Sequence, residues 1–151
     1  MTTSIRLTLS VDGDQLEGEG DGGPGADYID CLAFTDGVTT DQAPTGRSLG
    51  RRHFEPVVLR KRIDRTSPQL LDALTQNQPV GATFRFFRPS ADGTEEHYFT
   101  VEIPSGRIIT IERSWSNDDP HEAEDVGIAP QAIVWTDVPT GITTESRPRT
   151  V

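Results

Sequence analysis

The chain has 151 residues, 33% of them hydrophobic, and a formal net charge of −10. That length holds one domain, residues 1–151, with a core that is thin or completed by a partner chain. The acidic balance argues against nucleic acid as a partner, and no apolar run is long enough for membrane insertion.

Cys31 stands alone, so no internal disulfide can form, and a reducing compartment suits it. The opening MTTSIRLTLSVDG lacks the basic flank and apolar core of a secretory signal. Ile5, Leu7, Leu9 and Val11 alternate with polar residues and predict a half-buried strand that Asp12-Gly13 breaks. Residues 18–25 are rich in Gly and acid and read as a loop. Residues 28–35 predict a second strand, with Ile29, Cys31 and Ala33 on one side and Phe34 on the other. Residues 37–53 show no periodicity and read as a long extended loop, a kind that is usually functional or disordered.

The next segment, FEPVVLRKRIDRTSPQLLDALTQNQPV, carries the one strong helix signal. Its strand half, 55–63, puts Val57, Leu59 and Lys61 on one face and Arg60 and Arg62 on the other. A short helix is predicted at about 67–77, with Ser67 as the N-cap and Pro68 at the first position. Leu70, Leu71 and Leu74 form its packing face, and Asn77 and Pro79 end it. Strands follow at 82–88 and 97–103 around an Ala91-Asp92-Gly93 hairpin turn. Pro104-Ser105-Gly106 marks a turn or an edge bulge. Strands are predicted again at 107–115 and 126–138, with a polar loop at 117–125 between them and a loosely held tail at 139–151. The sum is a mainly β domain with a single flanking helix.

Charge is unevenly placed. Residues 11–46 hold no Lys or Arg but nine carboxylates; then Arg47, Arg51, Arg52, Arg60, Lys61, Arg62 and Arg65 follow closely, Lys61 being the only lysine. These blocks read as two solvated faces, or as complementary surfaces on two copies. Arg47, Arg51 and Arg52 are expected to pair with acidic residues such as Asp36 and Asp41 of an adjacent subunit. Arg60 and Arg62 are expected to face solvent, a lumen or a neighbour.

Nothing in the sequence assembles a catalytic set, so the chain reads as a non-enzyme. His53, His97 and His121 are far apart and lack metal spacing. Cys31 sits among strand residues as a small buried hydrophobe. Glu95-Glu96 and Asp118-Asp119 are adjacent pairs that a strand would send to opposite faces. The acidic stretch DGDQLEGEGDGG misses the calcium-loop pattern because Leu16 occupies a ligand position. The second acidic cluster, Asp118, Asp119, His121, Glu122, Glu124 and Asp125, reads as a solvated loop. No cofactor or metal is expected.

The order of segments resembles the Hcp family, the tube-forming proteins of bacterial type VI secretion. The opening strand and Asp-Gly turn, DYIDCLAF, the run VVLRKRIDRTSPQLLDAL, the hairpin ATFRFFRPSADGTEEHYFTVEIPSGRIITIERS and the closing VGIAPQAIVWTDVP occur in that family's order. The best match lies at Lys61, Asp64, Arg65, Ser67, Pro68, Leu70 and Leu71. The resemblance implies a compact antiparallel β-barrel of two packed sheets with one helix on its flank, closing into hexameric rings that stack into a tube. It implies effector cargo in the lumen, contractile sheath and spike proteins as partners, and cytoplasmic residence before secretion by the apparatus. A different reading of the acidic loops alone is a stand-alone β-barrel module binding a partner protein or Ca²⁺.

Overall fold

The computed structural model describes residues 3–20, 27–118 and 122–147. In chain order these form β1 (Ser4–Val11), β2 (Asp14–Gln15), β3 (Ile29–Thr35), β4 (Val38–Gln42), β5 (Ser48–Phe54), β6 (Val57–Arg62), α1 (Thr66–Thr75), β7 (Val80–Pro89), β8 (Glu95–Arg113), β9 (Ala123–Pro130), β10 (Ile133–Asp137) and β11 (Ile142–Ser146). The main sheet runs β11-β10-β8-β7-β1-β3-β6-β9 and closes into a barrel where β9 meets the far half of β8. All its ladders are antiparallel.

Alternation decides the core. Leu7 and Leu9 of β1, Val57 and Leu59 of β6, Phe84 of β7, Ile103 of β8 and Ile128 of β9 are each at most 1% exposed. Each such side chain contributes about 1.5–3 kcal/mol by leaving water. The two walls of the closed sheet pack against each other through these residues.

Pro104-Ser105-Gly106 does not interrupt β8, which runs through it for 19 residues. It is the corner at which β8 passes from β7 to β9: Gly106 lies opposite Val80 on one side and Pro130 on the other. The register shift lies in the same place: β8 takes three steps from Ile103 to Gly106 against two from Ala82 to Val80 on β7, so Pro104 and Ser105 form a bulge, as the sequence marked. Gly106 is required there, since a Cβ would stand 2.8 Å from the Ala129 carbonyl oxygen.

Several sequence expectations are corrected. Residues 37–53 hold the β4–β5 hairpin, an arm rooted where Glu55 N–H bonds the Gly37 carbonyl at 2.9 Å. Its pairing shifts register between Thr40 and Gln42, with Gly50 at φ 83°, and β4 buries neither face. Without a buried face no period-two signal is written into the sequence. The tail contains β11, paired with β10 through Ile142–Ser146 and exposed for the same reason; residues 148–151 lie outside the described ones. The last predicted strand is two strands, parted after Pro130, where Gln131 N–H turns to the Ser105 carbonyl. A bulge between Cys31 and Ala33 turns Ala33 outward and brings Phe34 against Phe84, ring centroids 4.6 Å apart.

The helix starts one residue earlier than Ser67. Its cap position is Arg65, which makes no side-chain cap bond, and Pro68 is the third residue, still within the turn whose N–H groups need no helical partner. Asp64 does the capping work by accepting the Thr66 N–H at 2.8 Å. Asn77 adopts φ 51°, and the bonds Gln78 N–H to Ala73 and Asn77 N–H to Leu74 close the helix end. Leu70 and Ala73 are 1% exposed and Leu74 flanks the core, whereas Leu71 is 54% exposed and is not part of the packing face. The buried stripe follows Thr66, Ser67, Leu70 and Ala73, one step around from the three leucines.

Candidate assembly site

Alternation along β6 drives Lys61 into the interior, where it is 0% exposed. Its ammonium donates to Glu124 Oε1 at 2.7 Å, to the Arg62 carbonyl at 2.9 Å and to Ser67 Oγ at 3.3 Å, and lies 3.1 Å from Asp64 Oδ1. Ser67 donates to the same Glu124 oxygen at 2.6 Å and accepts the Asp64 N–H at 3.0 Å. The other Glu124 oxygen is buried without a hydrogen bond; Arg113 Nη2 is 3.2 Å away, close enough to attract but not aligned to donate. Strand β6, strand β9 and the first turn of α1 are thus locked by one charge cluster, which sets the helix on the barrel. Glu124 therefore belongs inside, and the loop read at 117–125 ends before Ala123. The signal was available: Glu124, Val126 and Ile128 share one parity and one face.

The arm carries the predicted arginines. Arg47 lies in the turn closed by Ala43 N–H to the Arg47 carbonyl. Arg47 and Arg51 are exposed, and neither guanidinium has a partner among the described residues. Arg52 is half-buried and reaches the Ser146 hydroxyl and the Arg147 carbonyl, each at 3.4 Å. Asp41 meets His53 at 2.8 Å on the arm itself. Arg60 and Arg62 point outward as expected; Arg60 meets Asp125 at 3.3 Å. The two charge blocks also meet within the chain, through Arg65 with Glu17 at 3.0 Å and Glu19 at 3.8 Å. Of the predicted interface charges, Arg47, Arg51 and Arg62 are left without side-chain partners among the described residues.

At the root of the arm lies a hollow of about 300 Å³ lined by Phe34, Asp36, Phe86, Tyr98, Phe99 and Trp135. A register shift at Phe86 and Phe87 lets the neighbours Tyr98 and Phe99 both reach it. Phe86 stands edge-on to Phe34, Tyr98 and Phe99, with centroids 5.3, 6.5 and 6.2 Å apart. The Trp135 indole donates to Asp36, while burial pushes the Asp36 carboxyl above its usual range. Its Oδ2 is buried with no hydrogen-bond partner.

A family model described as "Type VI secretion system effector, Hcp" matches residues 8–136. The chain belongs to the Hcp family. A relative from Pseudomonas aeruginosa named "Major exported protein" is 36% identical over 118 residues, 73% of this chain and 69% of that protein. The structure of Hcp1 from Escherichia coli EAEC 042 superimposes with a TM-score of 0.84 at 24% identity, over 95% of this chain and 97% of that one. The secreted Hcp3 of Pseudomonas aeruginosa gives 0.80 at 23% identity, over 99% and 100%. This Hcp chain is accordingly a structural, self-assembling tube subunit of type VI secretion, and an exported protein.

Other candidates in this Hcp chain lead elsewhere. Burial pushes the Cys31 thiol up to about 11, and its Sγ faces the Ala33 carbonyl at 3.1 Å. His97 stacks on Phe87 and pairs with the Thr100 hydroxyl at 2.8 Å. Among the described residues no three His, Cys, Asp or Glu side chains converge as metal ligands. Residues 21–23 of the first acidic stretch, and Asp119 and His121 of the second, lie outside the described residues.

Proposed function

We propose that this subunit closes into hexameric rings that stack into a tube, carry effector proteins in the lumen and work with contractile sheath and spike proteins. It assembles in the cytoplasm and leaves when the apparatus fires. The observation that carries this reading is the arm: a hairpin projecting from a closed barrel in an Hcp chain, with two arginines, Arg47 at its tip and Arg51 along β5, that have no partner among the described residues. Arg47 and Arg51 supply contacts to the next subunit or ring, and Arg52, held against β11, supports the arm from below. Asp36 and Asp41 are the acidic side of that contact; Asp36 is the better placed, because Asp41 is already paired with His53. Arg62 faces the lumen or a neighbour, and Arg60 does so with Asp125 attached.

Light scattering across a wide concentration range, with negative-stain imaging, tests the reading. Rings with an open centre are expected. A monomer at every concentration would refute intrinsic ring formation. Arg47→Glu with Arg51→Glu is expected to weaken tubes while leaving the melting temperature of the subunit unchanged. Exposed pairs are each worth about 0–1 kcal/mol, but a ring repeats them.

A further inference from the structure

The aromatic hollow has one unsatisfied chemical demand. Its walls are the rings of Phe34, Phe86, Tyr98, Phe99 and Trp135, and its one charged lining group is Asp36. Trp135 supplies a donor to that carboxylate, and the other oxygen has none. An apolar occupant would leave that oxygen desolvated and unpaired, and an anion would be repelled. A guanidinium answers both features: its face stacks on aromatic rings and its edge donates to a carboxylate. The rim already shows this affinity, for Arg88 lies over Tyr98 at 4.6 Å while paired with Glu96.

The same chain carries the complementary group. Arg47 sits at the arm's turn, exposed and unpartnered among the described residues. It cannot serve its own hollow. The arm starts beside Asp36, and β4 carries the tip away at about 3.3 Å per residue, roughly 20 Å in all. That exceeds the reach of an arginine side chain. Donor and acceptor on one chain, too far apart to meet, make a heterologous contact that must be satisfied between copies.

The geometry points to the hollow at the arm root as an arginine-binding site, filled by the partner subunit's Arg47 and anchored on Asp36. This rests on the chain assembling with itself. It goes further by naming an acceptor pocket and a single donor, and by making the contact directional.

Sedimentation of the full chain tests it with Asp36→Asn, which keeps an acceptor for Trp135, and with Arg47→Ala. Each change is expected to raise the concentration needed for assembly at least about tenfold with the subunit fold intact. The double variant should be no worse than either single one. An equimolar mixture of the two single variants retains one intact contact, and heterodimer is expected to exceed either homodimer. Unchanged assembly in both, or fully additive effects, would overturn the proposal. Covalent trapping separates this from the tube reading: Thr45→Cys on the arm's turn mixed with Arg88→Cys at the rim of the hollow, both leaving Arg47 and Asp36 in place, should be joined by a bis-maleimide spacer into a dimer that neither gives alone. Rings without that cross-link, in variants that assemble normally, refute the pocket and leave the tube. A cross-linked dimer from a protein that never forms rings refutes the tube and keeps the pocket.

Discussion

Replacing Lys61 by Met should be among the most damaging single changes in the chain. The methylenes fill similar space, but the ammonium goes, and with it the bonds to Glu124, Ser67 and the Arg62 carbonyl. The cluster now holds two carboxylates, Asp64 and Glu124, and two cations, Lys61 and Arg113. Without Lys61 it carries an uncompensated negative charge, with Glu124 only 1% exposed. Removing one partner of such a pair costs about 3–5 kcal/mol, a large share of the roughly 5–15 kcal/mol that holds a domain folded. Urea unfolding, followed by tryptophan fluorescence at a protein concentration below assembly, reads this as a midpoint about 2 M lower. Adding Glu124→Gln removes the stranded charge, so the double variant should be less destabilised than the sum of the singles by about 1–3 kcal/mol. A Lys61→Met midpoint within about 0.3 M of the parent, or strictly additive singles, would refute a coupled network.

Leu70→Ala should cost about 2–5 kcal/mol and Leu71→Ala about 0.5 or less, because one side chain is 1% exposed and the other 54%; equal midpoints would overturn the assigned helix face. Gly106→Ala forces a Cβ to within 2.8 Å of a carbonyl oxygen at the β8 corner and should cost about 1–3 kcal/mol in the same assay. Cys31, with its thiol pushed up to about 11, should react with a disulfide reagent at pH 8 on the order of a hundredfold more slowly folded than in urea. The folded state binds a proton on Asp36 more tightly than the unfolded chain, since burial raises that carboxyl. Its stabilising effect is therefore full at acid pH and is lost as pH rises from the ordinary carboxylate value through the raised one. Asp36→Asn should flatten that part of the melting-temperature profile and raise the melting temperature near neutrality.

What the sequence disclosed was whatever had one buried face. The alternation of β1, the Lys61 parity of β6 and the Asn77 stop were readable because each periodicity or turn conformation is imposed locally. The arm and β11 were not, since strands exposed on both faces leave no hydrophobic period to detect. The helix face slipped by one position because three leucines outweigh Ala73 and Ser67 in any hydrophobicity count. The structure chooses the stripe that carries Ser67 to Glu124 instead. Asp36 was picked out by its place in an acidic run, whereas its partner Trp135 comes from a strand 99 positions later that only the closed barrel brings near. The aromatic hollow is assembled from four strands and their flanks, and no single stretch announces it.

The use of one lysine among many arginines follows from where the charge must work. Lys61 has three donors and makes three hydrogen bonds in a space that excludes water, so a compact ammonium is satisfied and a five-donor guanidinium would not be. At the arm tip nothing among the described residues meets the charge, and a planar fork that stacks and donates at once suits a contact made later with another copy. Asp36 shows the other half of that division. As a carboxylate in an apolar hollow it costs the isolated subunit stability, the reverse of what a residue kept for folding should do. A substitution that makes the subunit more stable and its assembly weaker is therefore the signature to seek, and Asp36→Asn is the position where both effects should appear together.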